Sequence, residues 1–354
     1  MIAAHQAVQR PSNAKLLIID GCGHIRHALR RDFIDFLQAG DLVIANDAST
    51  LPASLQGIHE ATGAPVEVRL AGSQSFAARD FGRFSAILFG AGDFRTRTED
   101  RLPPPAVAPG ERLLLGPLIA TIESLLNHPR LVALRFGGTP DTIWAGLARH
   151  GKPIQYAHIE EPLAMWDVWT PIAGMPVAFE PPSAGFTLDW QSLAAMGERG
   201  VEFATITHAA GISSTGDDRL DKRLPFNEPY RIPATTADAI RRTRMRGGRV
   251  IAIGTTVVRA IEHSALCHGQ VRSGEGMATQ RIGAGSRLHV IDAILSGTHE
   301  AGTSHYQLLR AFTDNATLGR ADEELEAHAY RTHEFGDSVL IERRADCGAQ
   351  AEAA

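Results

Sequence analysis

Gly248-Arg249-Val250-Ile251-Ala252-Ile253-Gly254-Thr255-Thr256-Val257-Val258-Arg259-Ala260-Ile261-Glu262 reads as a strand running into a turn and then a helix. The apolar run VIAI stops at Gly-Thr-Thr, and the helical pattern VVRAIEH starts at once. In open α/β sheets, ligands bind where strands end and helices begin. Small residues let a ligand approach the backbone, and a helix N-terminus offers unpaired N–H donors. Gly254, Thr255, Thr256 and Arg259 are therefore candidate ligand contacts. The spacing fits equally an ordinary capped helix with Thr255 or Thr256 as N-cap.

Outward from this junction, residues 177–344 alternate strand and helix. DWQSLAAMGERG, TTADAIRRTRMRGG and SHYQLLRAF read as helices; VEFATITHAAG and LHVIDAILSG read as strands with their loops. Residues 15–20 (KLLIID) form a strand closed by Gly21-Cys22-Gly23, which reads as a hairpin turn because the third glycine of a dinucleotide fingerprint is missing. RDFIDFLQ predicts a short amphipathic helix, and LVIAN a strand. Between about 58 and 153 the texture changes to short apolar strands between Gly and Pro turns. In PVEVRL, Val66, Val68 and Leu70 share one face, and Glu67 and Arg69 the other. The expected fold is thus α/β: a discontinuous layered α/β domain (1–57 and 154–344) with an inserted antiparallel β-barrel domain (58–153) and a disordered tail (345–354).

The chain has 354 residues, 44% of them apolar and 21% charged, which suits a folded protein of two or three domains. No transmembrane run or signal peptide is evident, so a cytoplasmic location is expected. Cys22, Cys267 and Cys347 are odd in number and widely spaced. They suggest unremarkable thiols, with neither a disulfide framework nor a zinc site. A net charge of −5 argues against a non-specific nucleic-acid binder, although a structured RNA can still meet one local basic patch. The densest basic run is Arg241, Arg242, Arg244, Arg246 and Arg249. A solvated helix face near the C-terminal dipole is favoured over phosphate binding there.

The GRVIAIGTTVVRAIE segment resembles GRVIAVGTTSVRALE of the S-adenosylmethionine:tRNA ribosyltransferase-isomerases of the queuosine pathway. Other matches follow in order. Arg10–Leu17 is similar to RD-x-SRLL, Gly40–Asp47 to GDLLVxND, and Gly63–Val68 to G-x-x-x-EV. Pro182–Gly185 is similar to PTAG, Asp292–His299 to DALITNFH, and Phe335–Ile341 to YGDAMLI. The resemblance implies the same two-part architecture. It also implies transfer of the ribosyl part of S-adenosylmethionine to a 7-aminomethyl-7-deazaguanine in a tRNA anticodon, with isomerisation to epoxyqueuosine. S-adenosylmethionine would be a substrate, with no prosthetic group, no metal and no membrane partner.

That chemistry needs a base near the carbon beside the sulfonium, an acid for departing adenine, contacts to ribose and a socket for a flipped base. His208 ends the strand FATIT, a position suited to catalysis or to a histidine satisfied by its loop. His299 matches the family's NFH histidine, and HEAGT is not a zinc-protease HExxH. Glu228 matches the glutamate of HSEYY; an exposed turn glutamate is the plainer alternative. Asn46 and Asp47 end a strand and could bind ribose or cap the next segment. Ser183 and Gly185 fall in the PTAG match. Asp292 sits in an apolar stretch, where it must find an arginine or hydroxyl.

Some family positions differ. Both arginines of NDTRVxPARL are absent from Asn46–Leu55, Arg, Tyr and Gln of ERYQTVYA are absent from Trp166–Ala173, and two family histidines are Thr187 and Phe226 here. These changes remove cations and proton carriers while the glycine and hydroxyl framework stays. The alternative is therefore a diverged paralogue using an adenosyl compound on a small molecule, or a non-catalytic binding protein.

Overall fold

The computed structural model describes residues 1–77 and 80–345. The tail expected to be disordered falls, beyond Ala345, outside the described residues. Nine strands form one sheet in the order Gly274–Ala278, Glu228–Ile232, Glu202–His208, Leu42–Asn46, Val250–Ile253, Ala293–Gly297, Ser338–Glu342, Lys15–Ile19, Ile25–Leu29. The middle four, from Glu202–His208 to Ala293–Gly297, are mutually parallel. Their carboxyl ends therefore emerge along one edge. The last two strands form the expected hairpin.

Both faces of this sheet are covered, which is why its strands read as continuous apolar runs. Successive residues point to opposite sides. Leu42 and Ile44 join Val257, Val258 and Ile261 of the helix Thr255–His268 in one core. Val43 and Ala45 join Phe33, Leu188 and Met196 in the other. Each fully buried aliphatic side chain contributes roughly 1.5–3 kcal/mol. The helix Thr255–His268 ends at Gly269 in the left-handed conformation (φ 72°), a common helix stop.

Six strands, Ser54–His59, Pro65–Ser73, Arg83–Phe89, Arg112–Leu115, Leu118–His128 and Leu131–Phe136, close into a barrel through antiparallel pairings alone. It lies in sequence between strands of the large sheet, as the fold class required. Its interior holds Val66, Val68, Leu70, Leu88 and Leu134 in a third core.

Several details differ from the sequence reading. Glu67 and Arg69 do not face water; both are buried. Arg69 Nε donates to Glu67 at 2.8 Å, Arg101 donates to the other carboxylate oxygen, and both guanidiniums lie over the Phe89 ring. Alternation identifies the two faces of a strand but not what covers the outer one. The stretch read as all-β also contains a helix, Pro140–His150, with Thr139 as N-cap and proline at its first position. RDFIDFLQ forms a 3₁₀ helix, Arg30–Phe36. Cys22 is disulfide-bonded and Cys267 is a free, exposed thiol, a correction to the expectation of unremarkable thiols: spacing along the chain does not fix distance in the fold. Among the described residues, no helix is long and apolar enough to cross a membrane.

Candidate active site

The carboxyl ends of the parallel strands open on a cavity of about 880 Å³. Gly254 begins its floor. This glycine, not a threonine, is the N-cap of the helix Thr255–His268, and it has φ 92° and ψ 156°. That backbone region is essentially open to glycine alone. The threonine hydroxyls are thus released from capping. Thr255 and Thr256 line the cavity, and Thr256 Oγ1 accepts from Asn46 Nδ2 at 3.3 Å.

One wall is built on a buried ion pair. Glu228 lies in the strand Glu228–Ile232, second from one edge of the sheet, not in an exposed turn. Arg259 Nη1 donates to Glu228 Oε2, and Arg259 Nη2 donates to the carbonyls of Phe226 (3.1 Å) and Ala278 (3.0 Å). The Gly211 amide donates to Glu228 Oε1 at 2.6 Å. Burial, with Arg281 nearby, pushes the Arg259 guanidinium down to about 10. Both side chains line the cavity.

His208 stands behind this pair. It is 0% exposed, and its Nε2 lies 2.8 Å from Glu228 Oε2. Burial, and then the Arg259 charge, hold its pKa well below the usual histidine value. A neutral imidazole donating from Nε2 to the carboxylate fits that shift. His208 does not line the cavity; it lies behind Glu228 and is held against its carboxylate.

His299 does reach the cavity. Its Nε2 lies 3.0 Å from Ser296 Oγ, and its ring stacks on His305 at 4.6 Å. Burial, then His305 and His333, keep its pKa well below the ordinary value. Ser183 lines the cavity too.

Four other expected contacts lie elsewhere. Asn46 is a brace: it donates to the His208 carbonyl at 2.9 Å and accepts from the amides of His208 and Ala48. Asp47 accepts from the hydroxyls of Thr205 (2.8 Å) and Thr207 (2.7 Å). Gly185 is buried in the 3₁₀ segment Ser183–Thr187, where a Cβ would come within 3.0 Å of Thr170. Asp292 accepts from Arg244, Arg343 and the Val250 amide, at the opposite end of the parallel strands. It pairs with arginine, as a half-buried charge should, and it does not line the cavity.

The whole chain can now be set beside known proteins. The model of the family described as "Queuosine biosynthesis protein" matches residues 1–341. The chain belongs to the queuosine biosynthesis protein family. An S-adenosylmethionine:tRNA ribosyltransferase-isomerase from Pelobacter propionicus is 31% identical over 349 residues, covering 97% of this chain and 96% of that protein. One of the same name from Synechococcus elongatus is 29% identical, covering 96% and 92%. A crystal structure of an S-adenosylmethionine tRNA ribosyltransferase from Thermotoga maritima aligns with TM-score 0.51 and 21% identity over 96% of each chain, so the fold is shared.

The queuosine-family motifs did not point to the far wall. There Tyr156, His158, Glu180, His333 and Glu334 line the same cavity. Tyr156 donates to Glu180, and His158 Nε2 lies 3.1 Å from Glu334. The rings of His158 and His333 stack at 4.2 Å. His158, His333 and Glu334 bring three metal-capable side chains together, as do His27, Glu324 and His328 on the surface.

Proposed function

We propose that this chain transfers the ribosyl moiety of S-adenosylmethionine to a 7-aminomethyl-7-deazaguanine base in tRNA and isomerises it, giving epoxyqueuosine in the cytoplasm. S-adenosylmethionine serves as substrate, with no prosthetic group. One observation carries the reading: the Gly254-Thr255-Thr256 helix start, the Glu228–Arg259 pair and His299 line one cavity of about 880 Å³. Ligand sites usually run to roughly 300–1,000 Å³, so an adenosyl group and a flipped base both fit the available room. The names of full-length relatives support the choice of substrates.

In this reading Gly254, Thr255, Thr256 and Ser183 bind the adenosyl substrate through amides and hydroxyls. His299, kept neutral, is the proton acceptor. Arg259 and Glu228 are fixed by each other and by backbone contacts, so they present a rigid polar wall to the reacting groups. The expected boundary at residue 58 falls inside the first barrel strand, Ser54–His59, so the inserted barrel is taken to span 54–153 and the layered domain the flanking segments. The test is expression in cells unable to make queuosine, with tRNA nucleosides read by mass spectrometry. Return of the modified nucleoside is expected. Its absence, with folded protein present, would sink the assignment.

A further inference from the structure

Glu180 is 8% exposed, yet it lines the cavity. Among the described residues, no arginine, lysine or histidine forms an ion pair with it. Its partners are neutral: Tyr156 donates to Oε1, and Ser213 Oγ donates in turn to the Tyr156 hydroxyl at 3.2 Å. Two of the other buried or half-buried carboxylates on this cavity have a basic partner, while half-buried Asp221 is held by neutral donors. Glu228 has Arg259. Glu334 has His158. Asp221 accepts from the Thr215 amide at 2.7 Å and from its hydroxyl at 2.5 Å.

A carboxylate taken out of water without a cation is costly, and folded proteins pair such groups. Glu180 is pointed at open volume and lacks its counter-charge. Glu334 lies close enough to add to the negative potential there. This end of the cavity therefore suits a positive ligand group, held by a charge-assisted contact.

We propose that Glu180, supported by Tyr156, recognises a cationic group of the adenosyl substrate and makes the site select charged over neutral adenosyl compounds. This rests on the functional reading above. S-adenosylmethionine has two candidates, the sulfonium and the α-ammonium, and both would be attracted to the same carboxylate.

Calorimetry on the full chain, wild type against Glu180→Gln and Glu180→Asp, separates the cases with three probes. S-adenosylmethionine carries both charges, S-adenosylhomocysteine the ammonium alone, and 5′-methylthioadenosine neither. Wild type is expected to bind S-adenosylmethionine about tenfold or more tighter than methylthioadenosine, the size of one charged contact. Glu180→Gln should lose that margin while its affinity for methylthioadenosine stays within about twofold, which also reports an intact fold. Glu180→Asp should keep part of the margin. Loss for S-adenosylhomocysteine as well assigns the ammonium, and loss for S-adenosylmethionine alone assigns the sulfonium. Unchanged discrimination in Glu180→Gln overturns the inference alone. Wild type binding none of the three overturns both it and the functional reading.

Discussion

A carboxyl group withdrawn from water favours its neutral form. Burial drives the Glu180 carboxyl up to about 7; the Tyr156 hydrogen bond opposes the rise and Glu334 adds to it. The folded value lies above the unfolded one, near 4.5. The folded state therefore holds this proton more tightly. Its contribution is fully present below about pH 4.5, and it is lost as pH rises through about 7. Above that, the ligand-free protein carries an uncompensated buried charge, worth at most about 3 kcal/mol. Glu180→Gln removes the charge and keeps the shape. Thermal melts should show the variant more stable than wild type at pH 8.5 and nearly level with it at pH 4. Equal melting at both values would mean that the carboxylate already has a partner in the folded chain. Tyr156 is held by the same logic: burial and the Glu180 charge push its hydroxyl well above the ordinary value, so it remains a donor throughout.

At the next scale, the strand Val250–Ile253 and the helix Thr255–His268 meet through one residue. A Cβ on Gly254 would find Ala184 at 3.5 Å, an ordinary contact. The obstacle to Gly254→Ala is conformational: φ 92° with ψ 156° is a region side chains avoid. The expected cost is about 1–3 kcal/mol, with the helix start displaced from the cavity. A lower melting temperature and a weaker calorimetric affinity for S-adenosylmethionine should appear together. Stability lost with affinity intact would remove this junction from the binding site. The junction was legible because an apolar run, a glycine and a helical period sit side by side in sequence. The hairpin at Gly21–Gly23 was legible for the same reason. The Pro140–His150 helix left a signal in Thr139-Pro140, a capping residue before proline, inside a stretch dominated by strands. The burial of Glu67 and Arg69 was beyond reach, since Glu67 is also paired with Arg101, more than thirty positions away. The wall formed by Tyr156, Glu180 and Glu334 was hidden similarly. Its members come from three segments that no local period connects.

Over the whole molecule, charge is divided between the two ends of the parallel strands. The arginine run at 241–249 lies at the end away from the cavity, and four of its five members pair with acids. Arg241 pairs with Asp238, Arg242 with Glu202, Arg244 with Asp292, and Arg249 with both Asp41 and Glu342. The sequence favoured a solvated helix face here, and the structure adds the ion pairs. At the cavity mouth the exposed cations are Arg97, Lys222 and Arg281, with Arg281 Nη1 donating to the Lys222 carbonyl at 2.7 Å. A net charge of −5 leaves little general attraction for RNA, so a tRNA must be drawn by such a local patch. Every phosphate that the protein ceases to neutralise lowers the slope of log affinity against log salt by about one. Replacing Arg97, Lys222 and Arg281 with glutamine should weaken tRNA binding in fluorescence anisotropy and flatten that slope. Calorimetric binding of S-adenosylmethionine should be retained, because none of the three is placed in the adenosyl subsite. Arg241→Gln with Arg242→Gln should leave both measurements unchanged. If the second pair, and not the rim triple, carried the salt dependence, tRNA would approach from the opposite edge of the sheet, away from the cavity lined by Thr255 and His299.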